Sequence, residues 1–216
     1  MSTVIPVSIP RWQWRTFAAD LPSLALRFPE LVQGSERRVD EIHLVCLKSS
    51  HHAFLRGSTL ELRWRKEVGP EGFELWDTVL HSSLPFRGEQ LARLWSAWGL
   101  PGPAPNIEYR TVASFLDEAI APNPTVIPVT LTRWRREGRL HGIDCSVEAV
   151  EIRGAAAMQS LSLEHEDPAL IEQLLIELGL DARDNVNFLQ GIKTALGLPA
   201  TDARERTWAR KSNASF

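Results

Sequence analysis

The chain has 216 residues, 44% of them hydrophobic, with 24 Lys and Arg against 27 Asp and Glu for a net charge of -3. That is an ordinary globular composition, large enough to bury a core without staples. The slight negative balance argues against a nucleic-acid partner, so any anion site must come from local clustering of basic residues. No apolar run approaches the ~20 residues of a membrane span, and the first ten residues lack a basic segment followed by a long apolar one. A cytoplasmic protein with no membrane partner is expected. Cys46 and Cys145 stand alone without metal-ligand spacing and read as reduced, buried thiols.

In chain order, Arg11-Trp12-Gln13-Trp14-Arg15-Thr16-Phe17 alternates sharply, with Trp12 and Trp14 on one face and Arg11, Gln13 and Arg15 on the other. Such alternation with aromatic residues predicts a half-buried strand. Asp20 and Pro22 suggest a short helical turn through Leu26, stopped by Pro29. Val39 to Leu47 reads as a strand whose two faces, Glu41-His43-Val45 and Asp40-Ile42-Leu44-Cys46, leave its orientation open. His51 and His52 read as residues of the following loop.

The next stretch carries the most information. After a Gly57-Ser58 turn, Leu60, Leu62 and Trp64 alternate with Glu61, Arg63 and Arg65. The result is a strand with an apolar back and a charged front. Neighbouring guanidinium groups on one face repel unless water or an anion lies opposite. A solvated sheet face satisfies that condition as well as a ligand does. Gly69-Pro70-Glu71-Gly72 predicts a hairpin to Phe73–Leu80. Arg87 to Trp98 has a helical stripe ended by Gly99.

Pro101 to Pro105 is the clearest internal break, and 108–120 fits strand or helix. The second half repeats the theme: Thr132-Arg133-Trp134-Arg135 restates the Arg-Trp-Arg spelling, with Gly138 expected to close that strand. Residues 139–152 and 156–164 read as strands forming a hairpin. Asp167 at the N-cap and Pro168 at the first position open a helix that Gly179 ends, and 185–196 gives a last short helix. Residues 1–200 are expected to form one domain of two halves joined near 101–107, with a weakly held tail at 201–216.

The inventory predicts an α+β fold: a mostly antiparallel β-barrel or tunnel with helices packed outside, against which both Arg-Trp-Arg tryptophans would rest. Strands of a closed barrel alternate interior and exterior residues. An interior carrying Arg11, Arg15, Arg63, Arg65, Arg133 and Arg135 needs an anion or many waters. The forked donors of arginine match phosphate oxygens, so a triphosphate or polyphosphate-type anion is the expected guest.

On these residues the chain resembles the CYTH superfamily, the triphosphate tunnel enzymes that include adenylate cyclases, thiamine triphosphatases and inorganic triphosphatases. The resemblance is one of element order over most of the chain. Ser58-Thr59-Leu60-Glu61-Leu62-Arg63-Trp64-Arg65 is similar to the family's Leu-Arg-x-Arg strand, and Thr132-Arg133-Trp134-Arg135 to its later arginine strand. Leu161-Ser162-Leu163-Glu164, ahead of the Asp167 helix, is similar to the closing acidic strand with one glutamate kept. The opening strand departs: where the family has Glu-x-Glu-x-Lys, this chain has Arg11-x-Gln13-x-Arg15.

The resemblance implies a site in which these arginines hold phosphoryl oxygens. Glu164 and Glu61 would be catalytic, and Glu164, Glu61 and Glu148 would hold Mg²⁺ or Mn²⁺. It implies a triphosphatase-type phosphohydrolase. The lost glutamate pair favours the alternative, a polyanion- or phospho-partner-binding protein on the same scaffold.

Overall fold

The computed structural model describes residues 9–18, 21 and 26–199. Eight strands close into one antiparallel barrel: β1 (Arg11–Phe17), β2 (Arg37–Cys46), β3 (His52–Arg56), β4 (Thr59–Val68), β5 (Glu74–Ser83), β8 (Val126–Leu140), β9 (Ile143–Ile152) and β10 (Met158–His165). Their order around the wall is β1-β10-β9-β8-β2-β3-β4-β5, and β1 returns to β5. The fold is α+β, as the element inventory predicts. Two short strands, β6 (Phe86–Arg87) and β7 (Glu108–Tyr109), pair separately.

Packing follows the alternation. Leu60 and Leu62 of β4 and Leu55 of β3 point outward onto α1 (Gly88–Trp98), joined by α2 (Val112–Phe115), which runs on as a π-helical turn through Ile120. On the opposite wall Trp14, Leu161 and Leu163 pack against Ile171, Leu174 and Leu175 of α3 (Pro168–Leu178). Asp167 caps α3 by accepting from Ala169 N–H, as the Asp-Pro opening predicts. Both cysteines are buried and free. No helix of the described residues is long and apolar enough to cross a membrane.

Four expectations are corrected. Gly138 does not end a strand: β8 runs fifteen residues through it, and the turn falls at His141 and Gly142, both with positive φ. A Cβ on Gly138 would lie 2.1 Å from the carbonyl oxygen of Glu30, so the glycine admits the 3-10 turn Pro29–Val32 against the barrel. His52 is no loop residue but the buried first residue of β3. Trp64 faces out as expected but remains 37% exposed beside α1, leaning on His51 at 4.4 Å between ring centroids.

The fourth correction is the last helix, α4 (Phe188–Ala195), which does not pack outside. Its Phe188, Leu189 and Ile192 bury against Val45, Val129, Leu131, Val150 and Ile152, the interior residues of β2, β8 and β9. The helix thus closes one end of the barrel. Its entry is fixed at the seam where β5 leaves β1. Val186 N–H donates to the carbonyl of Arg15 at 2.7 Å, and Asn185 accepts from Arg15 N–H at 2.7 Å while donating to the Gly72 carbonyl. Asp20, Pro22 and the 201–216 tail lie outside the described residues.

Candidate functional site

The space left inside the barrel is a cavity of about 190 Å³. Its lining includes Gln13, Arg15, His52, Glu61, Arg63, Arg133, Arg135, Glu164 and, from α4, Phe188. Period-two alternation puts all but Phe188 there: each is an interior residue of its strand, and the outward partners are the apolar residues of the helix-packed shells. Of the nine residues predicted for the site, Arg15, Arg63, Arg133, Arg135, Glu61 and Glu164 line the cavity. Arg11 turns to Asp144 at the half-exposed rim, Arg65 to Glu74, and Glu148 lies beneath the arginines.

An arginine-lined interior needs an anion or many waters to offset its charge. The chain supplies much of that negative charge itself, through Glu148, which the resemblance nominates for a metal, and through Glu41 and Glu74, which the sequence reading does not place inside. Arg133 gives three of its donors to carboxylates. Its Nε and Nη2 donate to the two oxygens of Glu148 at 3.2 and 2.6 Å, and Nη1 donates to Glu41 Oε2 at 2.9 Å. Arg56 donates twice to Glu41 Oε1, at 3.0 and 2.6 Å. Arg65 donates to Glu74 at 2.8 Å, and Glu74 also accepts from Asn187 and the Trp76 indole. Charge-assisted and bidentate pairs of this kind are the strong ones.

Three guanidinium groups keep donors for something else. Arg15 uses Nη1, at 2.7 Å from Ser160 and 3.3 Å from Glu148, while its enclosed Nε has no partner. Arg135 uses Nε on Ser146 at 2.7 Å and Nη2 on Glu137 at 3.0 Å. Arg63 meets Glu164 only at 4.0 Å, lying 5.9 Å over the Trp76 ring. A guanidinium has five N–H donors in fixed directions, so all three retain capacity toward the cavity. Phe188 lies under the cluster, its ring centroid 4.5 Å from the Arg133 guanidinium and 5.1 Å from that of Arg15. An aromatic face stabilises cations without consuming an N–H.

Protonation follows from these contacts. Burial opposes charge on Glu148, yet Arg15, Arg133 and Arg135 pull its carboxyl down to about 2. Burial likewise opposes Glu41, but the His43 hydrogen bond and the Arg133 charge hold it well below the usual range. Glu164 is lowered too, against burial, chiefly by Arg63. Burial raises Glu74 despite Arg65. Burial lowers Arg15, and the neighbouring Arg133 adds to the effect.

A metal site is not built from the three carboxylates that the resemblance nominates. Every oxygen of Glu148 already accepts from arginine or Ser146, and a hard cation needs oxygens free to coordinate. Glu164 accepts from the Gln13 amide on one oxygen. Among the described residues no group of three or more His, Cys, Asp or Glu side chains could hold a metal ion.

The sequence reading missed Glu41, His43, His52, Arg56, Glu74 and Asn187. The signal for Glu41 and His43 was present, as one of the two faces of the 39–47 strand. Nothing local selected it, because both faces mix polar and apolar residues.

No known family's sequence profile matches the chain, and no curated protein matches it. Solved structures with a similar trace include a candidate adenylate cyclase of Bacillus halodurans, 13% identical at a TM-score of 0.46, covering 86% of this chain and 96% of that one. A conserved hypothetical protein of Pyrococcus furiosus is 12% identical at 0.43, covering 84% and 98%. A protein of Pyrococcus horikoshii is 11% identical at 0.43, covering 84% and 97%. At that level the likeness carries nothing about activity.

Proposed function

We propose that the barrel binds the phosphoryl end of a triphosphate, polyphosphate or organophosphate, and that it retains the anion rather than cleaving it. One observation carries the reading: Arg15, Arg63 and Arg135 face one small cavity with donors left over, while Arg56, Arg65 and Arg133 direct theirs chiefly at glutamates. Size bounds the guest. The cavity, about 190 Å³, exceeds the ~150 Å³ that takes a benzene-sized guest and falls short of the ~300 Å³ where ligand pockets usually begin. One or two phosphoryl groups fit inside; the rest of a longer anion would stay at the mouth.

The resemblance of the two Arg-Trp-Arg strands to triphosphate tunnel enzymes supports a phosphorylated guest. The donor set speaks against a metal-dependent hydrolase, since Glu148 is neutralised and the opening glutamates are replaced by Arg11 and Gln13. Arginines that grip substrate and transition state alike lower a dissociation constant without lowering a barrier. Titration calorimetry with orthophosphate, pyrophosphate and tripolyphosphate, with Mg²⁺ and with chelator, tests this. Pyrophosphate should bind more tightly than orthophosphate, tripolyphosphate should add little, and chelator should leave affinity unchanged. Arg63→Ala with Arg135→Ala should weaken binding at least tenfold. Brisk phosphate release abolished by chelator, or binding indifferent to both arginines, would refute the proposal.

A further inference from the structure

One group in the cavity is left unused by anion binding. His43 and His52 sit side by side inside the barrel, on the adjacent strands β2 and β3, with His43 Nδ1 2.6 Å from His52 Nε2. On its far side His43 Nε2 lies 2.9 Å from Glu41 Oε2. The rings are packed by Phe54 and Phe188, at 5.4 and 5.3 Å from the His43 centroid. His52 also lines the cavity.

The tautomers follow from donor counting. Glu41 is ionised and takes hydrogen bonds from Arg56 and Arg133 as well, so it can only accept, and His43 Nε2 must carry a proton. In neutral His43 the other nitrogen, Nδ1, is then an acceptor, so the proton between the rings belongs to His52 Nε2. That leaves His52 Nδ1 with a bare lone pair. His52 lines the cavity, and we take Nδ1 as the atom it presents there.

A proton arriving at Nδ1 need not leave its charge there. As His52 Nδ1 gains a proton, the shared proton moves from His52 Nε2 to His43 Nδ1. The positive charge then appears on His43, against Glu41, instead of on His52 beside Arg63. The groups facing the pair are Glu41 from β2, Arg56 from β3, Arg63 from β4, Arg133 from β8 and Glu148 from β9. In the empty barrel burial holds both imidazoles neutral, and for His52 the second ring and Arg63 add to it. An anion at Arg63 supplies the negative charge that reverses this balance.

We propose that the His43–His52 pair is a proton-binding site of the cavity, so that an anion enters together with one proton from solvent, accepted at His52 Nδ1 and held as charge on His43. The proposal rests on the anion-binding reading above, and the experiment separates the two. The probe is sulfate, a tetrahedral dianion that does not itself titrate near neutrality. Calorimetry at pH 7 in buffers of different ionisation enthalpy should show close to one proton taken up per sulfate, with affinity rising up to tenfold per pH unit as pH falls. His52→Gln keeps an amide donor for His43 Nδ1 but cannot accept the proton, and should lose that uptake. Sulfate binding with no proton uptake, or the same uptake in His52→Gln, would overturn the relay while leaving the anion site standing. If sulfate does not bind at all, the anion reading fails. The imidazole ¹⁵N shifts of the unliganded protein then decide for the pair: bare Nδ1 and protonated Nε2 on both rings support it, and a protonated Nδ1 on neutral His52 overturns it.

Discussion

Replacing Glu148 with glutamine should destabilise the barrel at neutral pH by about 3 kcal/mol, and the penalty should fade in acid. Glu148 is 1% exposed and neutralises Arg133 bidentately, with Arg15 and Arg135 alongside. Its carboxyl is drawn from the ordinary value of 4.5 to about 2. A lowering of that size is worth on the order of 3 kcal/mol. Removing one partner of a buried pair costs a similar 3–5 kcal/mol or so by an independent route, because it strands the other charge. The folded value lies below the unfolded one, so the contribution is present above about pH 4.5 and is lost as pH falls towards 2. Glutamine has no such titration, so wild type and variant should converge across that window. Urea unfolding of both proteins from pH 7 downward measures it. A difference under ~1 kcal/mol at pH 7, or one that persists undiminished into acid, would refute the assignment of Glu148 as the interior counterion.

Truncating tryptophan should separate the two faces: Trp14→Ala should cost ~3–5 kcal/mol by denaturant unfolding, and Trp64→Ala, half out in water, under ~1.5 kcal/mol. Gly138→Ala should detach the Pro29–Val32 turn, seen as faster amide exchange at Leu31, since a Cβ there collides with the carbonyl of Glu30. Polyphosphate affinity should fall only a few-fold between low and high salt. The site is enclosed and the protein carries a net charge of -3, so the long-range field gives anions no attraction to be screened.

The barrel was legible because its strands obey one rule. Where a strand has a pure apolar face, as with Leu60-Leu62 against Glu61-Arg63-Arg65, alternation alone tells inside from outside. The inversion peculiar to this fold, charges in and leucines out, is then visible in the sequence. It fails at β2, whose Glu41-His43-Val45 face crosses from the charged cavity into the apolar plug. A strand serving two environments has no uniform face to read. It fails at β8 for a different reason. Gly138 looks like a terminator locally, yet it is required by a turn more than a hundred residues earlier. His52 reads as a loop residue because Phe188, which helps hold it inside, lies far along the chain and in no local sequence window.

The last helix is where local reading and function part most. The periodicity of 188–195 gives an amphipathic helix and nothing about where it goes. Asn187 decides two things at once: its Oδ1 accepts from Gln190 N–H to cap α4, and its Nδ2 donates to Glu74 at 3.0 Å. Glu74 in turn engages Arg65. The same docking brings Phe188 under Arg133 and Arg15 and onto the His43 and His52 rings. This helix thus helps fix which arginines are spent, what lies beneath those that remain, and how dry the histidine pair is. Without α4 seated there, the pair would lose the ring that packs it, and the desolvation that keeps both imidazoles neutral would weaken. The arginine-lined cavity and the histidine pair beside it are therefore properties of the closed barrel and belong to no single strand motif.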